Sequence, residues 1–454
     1  MGLGAEMNHQ LRRLMTDAGF SNKSLARAVQ AAAARRGRQV GTDHTRVAGW
    51  LRGTTPRGET AGFVVDAFTA RLGTPVTLAD LGLGQAAEMR PHLGLIYESS
   101  LTQAVRTLAE ITQHDSSGHP EIVSGEYSSD ALNALCLDWL FGGSRVDTVG
   151  RQRPIREIDV TEIQMMTATF DTLDRTFSGE HHRQLAVSYL KDVVVPKLSE
   201  YSEDAIGRRF LRATAVLCEL IGWMAYDTLR HSAAQRYFAQ AVRFAQASGD
   251  EGYAAYAISS MADQAIFLGR PRHALRLANV AQSRIGAHVP SLALAEAHVF
   301  EARAHALMGD RSACEKALGI AEETFDRLSP TDLPVWGQNW SHVVLASHAG
   351  TCWTDLGDAA QAAPQIDALW SSIADGQPRR RVYSAVQLSR IALVRNDIEE
   401  ATHYASIAVE ASPDMGSLRS VEHLDRQIEH LLATNRTHPL VQSLAAKVVE
   451  LRAE

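Results

Sequence analysis

The sequence predicts an all-α protein: a head of five short helices, a helical middle segment, and a long solenoid of stacked helix pairs. Three observations predict it. Alanine is abundant and strand-like alternation is scarce, while aromatic residues make up only 6% of the 454 residues, so the apolar periodicity is that of helices. One phrase, a turn followed by small or apolar residues at positions 1, 5 and 8, returns five times after residue 205. The charge is also uneven. Residues 1–80 carry 11 Lys+Arg against 6 Asp+Glu, a balance of +5, and the rest 34 against 46, or −12. The length exceeds one ordinary core. The expected domains are 1–84, 85–204 and 205–454.

The head is built as follows. In "NHQLRRLMTDA", Leu11, Leu14, Met15 and Ala18 fall at helical spacing, and Gly19 stops the helix. In "SNKSLARAV", Ser21 or Asn22 caps and Leu25, Ala26 and Val29 form the inner face. The four alanines that follow extend this helix, and Gly37 and Gly41 end it. In "TDHTRVAGWLRG", Thr42 is the expected cap and Asp43 suits the positive helix end. Val47, Trp50 and Leu51 face inward, and Gly53 terminates. Phe63, Val64, Ala67, Phe68 and Leu72 form the apolar face of a fourth helix. Leu78 and Leu81 close the unit through a fifth.

Ser24-Leu25-Ala26, Val47, Trp50-Leu51-Arg52-Gly53, Pro56, Phe68, Leu72-Gly73 and Leu78 resemble the helix-turn-helix domain of the XRE, or phage-repressor, family over roughly the first 80 residues. The resemblance implies that the third helix enters the DNA major groove, where base edges are distinguishable. Carried over by position, His44, Thr45 and Gly49 are the readers, with Arg46 beside them. Gly49 offers no side chain but lets the backbone approach. Asn22 and Lys23 occupy one phosphate-gripping position, and Arg52, Thr54 and Arg57 another. This sequence departs from the family in "QAAAARRGRQVG", about eleven residues where a tight turn is usual. Arg35, Arg36 and Arg38 at its tip reach either a phosphate or minor groove, or stand as a solvated arm. Double-stranded DNA is thus the expected partner of the head, and a basic head on an acidic body agrees.

In the middle segment, "FGGSRVDTVGRQRP" (141–154) is the clearest loop, after a short helix "ALNALCLDWL". A helix opens at "DVTEIQMMTATFDTLDRTF" with Thr161 as its cap. Another covers "HHRQLAVSYLKDVVVPKL", with Pro196 late in it. Then the repeated phrase begins: Ala234/Phe238/Ala241, Ala274/Ala278/Ala281, Cys314/Leu318/Ala321, Ala362/Ile366/Leu369 and Ala401/Ala405/Ala408. The starts lie 40, 40, 48 and 39 residues apart. Gly269, Gly309 and Gly357 stand five positions before three of them, and Asn396 before a fourth. This is the spacing of helix pairs stacked into an α-solenoid. "LG-x4-A" and "MGD-x4-C" resemble a degenerate tetratricopeptide repeat, and "SPTDLPVWGQNW" (329–340) lengthens one unit. Such solenoids offer a concave groove to a peptide, protein segment or small ligand. The candidates on the first helix of each pair are Tyr256, Asp263, Gln264, His298, Arg303, Trp340, His342, Gln387 and Arg390.

The stretch "GWMAYDTLRHSAAQRYFAQA" (222–241), with the head motifs, resembles actinobacterial regulators that join an XRE-type head to a tetratricopeptide-like body, some of which govern development and antibiotic production. Trp223, Tyr226, Asp227, His231, Gln235, Tyr237 and Phe238 carry that resemblance. Read physically, they lock one helix pair, with Asp227 and His231 four apart and able to hydrogen bond.

Enzyme signals are absent from the sequence. Glu180, His181 and His182 are adjacent and so face different ways, a poor metal site. No Walker, nucleophile-elbow or dinucleotide motif occurs. The expectation is a protein without catalytic residues, metal or cofactor. The four cysteines are scattered, as for reduced buried thiols. No apolar run approaches the roughly 18 residues of a membrane helix, and no signal peptide stands at the N-terminus. A cytoplasmic homodimer is expected, a sequence-specific transcriptional regulator that represses rather than activates. Its body dimerises it and senses an effector. The alternative is a tetratricopeptide-type interaction adaptor whose head does not read DNA.

Overall fold

A computed structural model of the chain describes residues 8–35, 38–56, 60–72, 76, 81–83, 92–123, 125–141, 155–177, 179–199, 201, 203–285, 291–329, 333, 337, 340–373, 377–412 and 416–453. Arg36, Gly37, Arg57, Leu78, the loop 142–154 and most of 329–339 lie outside the described residues. Every regular element among the described residues is helical. Packing divides the chain into two compact units: Met1–Pro91 with Gln113–Glu121, and His92–Thr112 with Ile122–Glu454.

The first unit holds α1 (His9–Asp17), α2 (Asn22–Arg35), α3 (His44–Leu51) and α4 (Thr60–Leu72). Their inward residues, Leu11, Leu25, Val29, Val47, Trp50, Phe63, Val64 and Phe68 among others, make one core with Leu81 and Leu83, which follow α4. Trp50 is a core residue, as its helical phase predicts. Asn8 caps α1 by accepting the Leu11 N–H at 2.9 Å, and its amide donates to the Leu81 and Gly82 carbonyls. Gly19, at φ 65°, turns the chain into α2. There Ser21, not Asn22, caps, accepting from the Ser24 N–H. The cap of α3 also differs from expectation. Asp43 accepts the Thr45 and Arg46 N–H groups at 3.0 and 2.9 Å. Thr42 is buried instead, and its carbonyl receives the Gln30 amide at 2.6 Å. A carboxylate suits the positive helix end better than a hydroxyl. Those two N–H bonds, the one to Arg46 foremost, hold Asp43 below the usual carboxylate range.

Next along the chain come α5 (Leu101–Ser116), α6 (Pro120–Val123), α7 (Ser129–Phe141), α8 (Glu157–Phe177), α9 (Glu180–Tyr189) and α10 (Val195–Leu198). Thr161 lies inside α8, its hydroxyl donating to the Glu157 carbonyl, so it is no cap. A π-turn, Leu190–Val194, joins α9 to α10. It lets the Val195 N–H bond Leu190, five residues back, just before Pro196, which has no N–H to give. The Glu180 carboxylate takes Arg183 and Arg230, each at 2.7 Å. No cluster of metal-ligating side chains occurs among the described residues.

The rest is six helix pairs: α11 (Ala205–Asp227) with α12 (His231–Ser248), α13 (Glu251–Phe267) with α14 (Pro271–Ile285), α15 (Leu292–Leu307) with α16 (Arg311–Asp326), α17 (His342–Asp355) with α18 (Ala359–Ser371), α19 (Pro378–Val394) with α20 (Ile398–Glu410), and α21 (Leu418–Thr434) with α22 (Pro439–Ala453). All fifteen residues of the repeated phrase are buried on the second helices of the first five pairs. Each of those pairs turns in the same way. The residue five before the phrase adopts a left-handed conformation: Gly269, Gly309, Gly357 and Asn396, and also Leu229, at φ 58°. The following N–H reaches five residues back, from Arg230 to Ala225, Arg270 to Ala265, Asp310 to His305, Asp358 to Trp353 and Asp397 to Ala392. These are the bonds of a Schellman turn. Close crossings require small residues. A Cβ on Gly222 would come within 2.6 Å of the Phe238 ring, and one on Gly350 within 2.7 Å of Ile366.

The 222–241 motif is mostly structural. Gln235 holds the Ser128 N–H and the Glu126 carbonyl. The buried neighbours Arg236 and Arg243 take the carbonyls of Leu93 and Glu98. Asp227 and His231 do not bond each other: Asp227 pairs with Arg419 and Arg379, and His231 meets Gln264. The Asp227 contacts close the stack. Arg419, on α21, lies 3.0 Å from Asp227 and 3.8 Å from Asp263, over the rings of Trp223 and Tyr226. Arg426 donates to the Phe267 carbonyl at 3.0 Å. Arg379, on α19, bridges Asp174 of α8 and Asp227. The last pair is thus tied back to the first two.

Candidate functional site

Two sites were expected, and each is a separate piece of geometry. On the head, α3 is eight residues long, about 12 Å at 1.5 Å per residue, close to the width of a major groove. Its inner face is consumed by Val47 and Trp50. Its outer face carries His44, Thr45 and Arg46, all exposed. Arg52 and Thr54 follow it, exposed as well. Lys23 is exposed at the start of α2, Asn22 beside it is half-buried, and Arg38 is exposed after α2. Gly49 has a local reason to be glycine: a Cβ there would sit 2.9 Å from the Thr54 hydroxyl. Because Asp43 occupies two N–H groups of α3, an anion is poorly received at that helix end. What α3 leaves open to solvent is its outer side chains.

In the second unit, the first helices of the pairs, together with α8 and Trp340, surround a cavity of about 1330 Å³. Tyr256, Asp263, Arg303, Trp340, Gln387 and Arg390 all line it. Three candidates do not. Gln264 is buried between helices, its amide on the His231 carbonyl at 3.1 Å. His298 bonds Glu301 at 2.7 Å, and His342 bonds Asp326 at 2.9 Å. The reason is helical phase. On α15 the cavity face is Glu296, Phe300, Arg303 and Leu307, and a residue two positions off that series is rotated about 200° away.

The wall mixes rings and charges. Trp223, Tyr226, Phe267, Tyr256, Phe300, Trp340 and Tyr383 supply aromatic surface. Most charges are matched within the protein: Arg379 with Asp174, Arg390 with Asp355 at 2.6 Å, and Arg419 with Asp227. Arg303 instead approaches a histidine, its guanidinium 3.3 Å from His348 Nδ1. Burial, reinforced by Arg303, pushes His348 down to about 3, so that ring is neutral.

Two wall residues that the sequence did not single out are carboxyls, Glu219 and Glu296. Glu219 accepts from Trp223, Ser260 and Tyr253, and burial pushes it up to about 7. Burial, with the nearby acids Glu219 and Asp263, holds Glu296 well above the usual carboxylate range. Their sequence signal was weak: single acids within apolar helices, "LCELIG" and "LALAEAH", where a buried charge is uncommon.

Among known proteins, a family model described as the SP15 N-terminal domain matches residues 11–84, the span of the head. No curated protein and no solved structure matches the chain.

Proposed function

We propose that the protein is a sequence-specific DNA-binding regulator, a repressor before an activator, whose XRE-like head reads DNA and whose tetratricopeptide-like body senses a ligand. The observation that carries the reading is the outer face of α3. A short helix with a buried apolar side presents His44, Thr45 and Arg46 together, with Arg52 and Thr54 at its end. This face lies on a basic head within an acidic chain. Phosphate-binding groups position such a domain, and the α3 side chains select bases. One helix of this length contacts few bases, so useful specificity comes from two heads on two half-sites, and the working form is a homodimer. The cavity supports a small ligand over a protein client, because ion pairs tie its last helix pair to its first two. A ligand that prefers one body conformation then alters the separation of the two heads.

The test is selection of fragmented genomic DNA by purified protein, wild type against Arg46→Ala plus Arg52→Ala. Wild type enriches one roughly palindromic motif and the double variant loses it. Affinity for that motif falls steeply between about 50 and 200 mM salt, as counterion release demands. Enrichment of no shared motif, or an affinity indifferent to salt, refutes the reading and leaves the adaptor.

A further inference from the structure

The carboxyl groups of the cavity wall are not equivalent. Asp174, Asp227 and Asp355 each face a guanidinium. Glu219 is held by three donors of the protein. Glu296 stands apart. It is only 3% exposed, it lines the cavity, and its Oε2 has no hydrogen-bond partner. The charged groups that act on it, Glu219 and Asp263, are both acids. A buried carboxyl without a partner destabilises the protein that carries it. No donor within the protein offsets that cost, so the complement is sought in what enters the cavity.

The surroundings narrow the chemistry. Tyr256 lies close enough to Glu296 to interact electrostatically and accepts a hydrogen bond from Trp340. Phe300 is one turn further along α15 and also lines the cavity. Aromatic faces beside an acid attract a cation and repel an anion. A metal ion needs several hard or soft ligands at once, and Glu296 offers one. An anionic group is better received by Arg303, two turns away on the same helix.

We propose that the cavity binds a small organic molecule bearing a protonated amine on an apolar or aromatic body, and that Glu296 receives the amine. The assignment rests on the ligand-sensing reading above and adds the chemistry of the ligand. Burial and the two nearby acids favour the protonated form of the Glu296 carboxyl, so the arriving ammonium displaces any proton it carries. The amine keeps its own proton, the carboxyl proton passes to buffer, and a carboxylate–ammonium pair remains.

The experiment is calorimetric titration of the full chain with tryptamine, with uncharged tryptophol and with indole-3-acetate, in two buffers of different ionisation enthalpy. Tryptamine is expected to bind at least about tenfold more tightly than tryptophol, the worth of one charge-assisted bond, and to release protons rather than take them up. Indole-3-acetate binds more weakly than either. Glu296→Gln, isosteric and uncharged, brings tryptamine to the level of tryptophol and abolishes proton release, whereas Glu219→Gln keeps the preference. Equal binding of amine and alcohol, a preference that survives Glu296→Gln, or no tryptamine binding at about 10 mM overturns the proposal. The amine–alcohol comparison needs no variant and so stands if Glu296→Gln misfolds. Amine binding that leaves DNA affinity unchanged removes the sensing reading and keeps this assignment. DNA binding that answers another ligand, with tryptamine never bound, does the reverse.

Discussion

Arg419 closes the ring of helix pairs, and Arg419→Met measures what that closure is worth. Its guanidinium is 3.0 Å from Asp227, with side-chain exposures of 22% and 4%. Removing one partner of a fully buried pair costs about 3–5 kcal/mol, chiefly because the other charge is left unpaired. Two features lower the figure here. Asp227 retains Arg379 at 3.2 Å, and methionine preserves apolar cover over the Tyr226 ring, above which the guanidinium sits at 4.7 Å. The expected loss is therefore about 2–3 kcal/mol. A chain of helix pairs need not unfold in one step, so the assay is native-state hydrogen exchange, read helix by helix. Opening of α21 and α22 becomes easier by that amount, while α15–α18 change little. Arg327→Met serves as control: it removes an exposed pair with Glu323, and its effect stays within about 0.5 kcal/mol. If α21 protection in Arg419→Met changes no more than in the control, α21 is held by other contacts and the closure argument fails.

Two further substitutions test the interior. Glu219 is raised from its ordinary 4.5 to about 7, chiefly by burial, so the folded state keeps a proton that the unfolded chain releases. Its contribution is most favourable below pH 4.5 and is lost as pH rises to about 7, on the order of 3 kcal/mol over that window. Urea unfolding across the window should therefore show Glu219→Gln gaining on wild type as pH rises, and a constant difference contradicts the assignment. The turn position is tested in pairs: Gly269→Ala costs about 1 kcal/mol at φ 67°, and Leu229→Gly gains up to a similar amount at φ 58°. A loss in Leu229→Gly on thermal unfolding shows that its half-buried side chain outweighs the backbone strain.

The repeat was legible because its determinants are local. Small or apolar residues at positions 1, 5 and 8 of the phrase are buried on the second helices of the first five pairs, and the left-handed turn five residues before them selects glycine or asparagine. The first pair hid half of this signature. Leu229 occupies the left-handed position although leucine avoids it, since α11 and α12 impose the turn from both sides. The cap at Asp43 was misassigned to Thr42 for a related reason. Both are good caps by type, and only the docking of the Thr42 carbonyl on Gln30 decides between them. The closure by Arg419, Arg426 and Arg379 had no sequence trace, because each partner lies more than 150 residues away.

The cavity face was partly legible for the same reason of range. Polar and aromatic residues on first helices were the right population, and periodicity places Tyr256 and Asp263, or Glu296, Phe300 and Arg303, on one stripe of their helix. Choosing by residue type instead of phase admitted His298 and His342, which bond acids off that stripe. It also passed over Glu296, which follows the apolar run Leu292–Ala295 at the start of α15. An acid near the start of a helix resembles an ordinary glutamate that suits the positive helix end. Its meaning comes from what surrounds it: two further acids, aromatic rings and no donor for Oε2. Apart from Phe300 on the same helix, those neighbours belong to α11, α13 and the Trp340 segment, so the feature that most constrains the proposed ligand is a property of the folded ring.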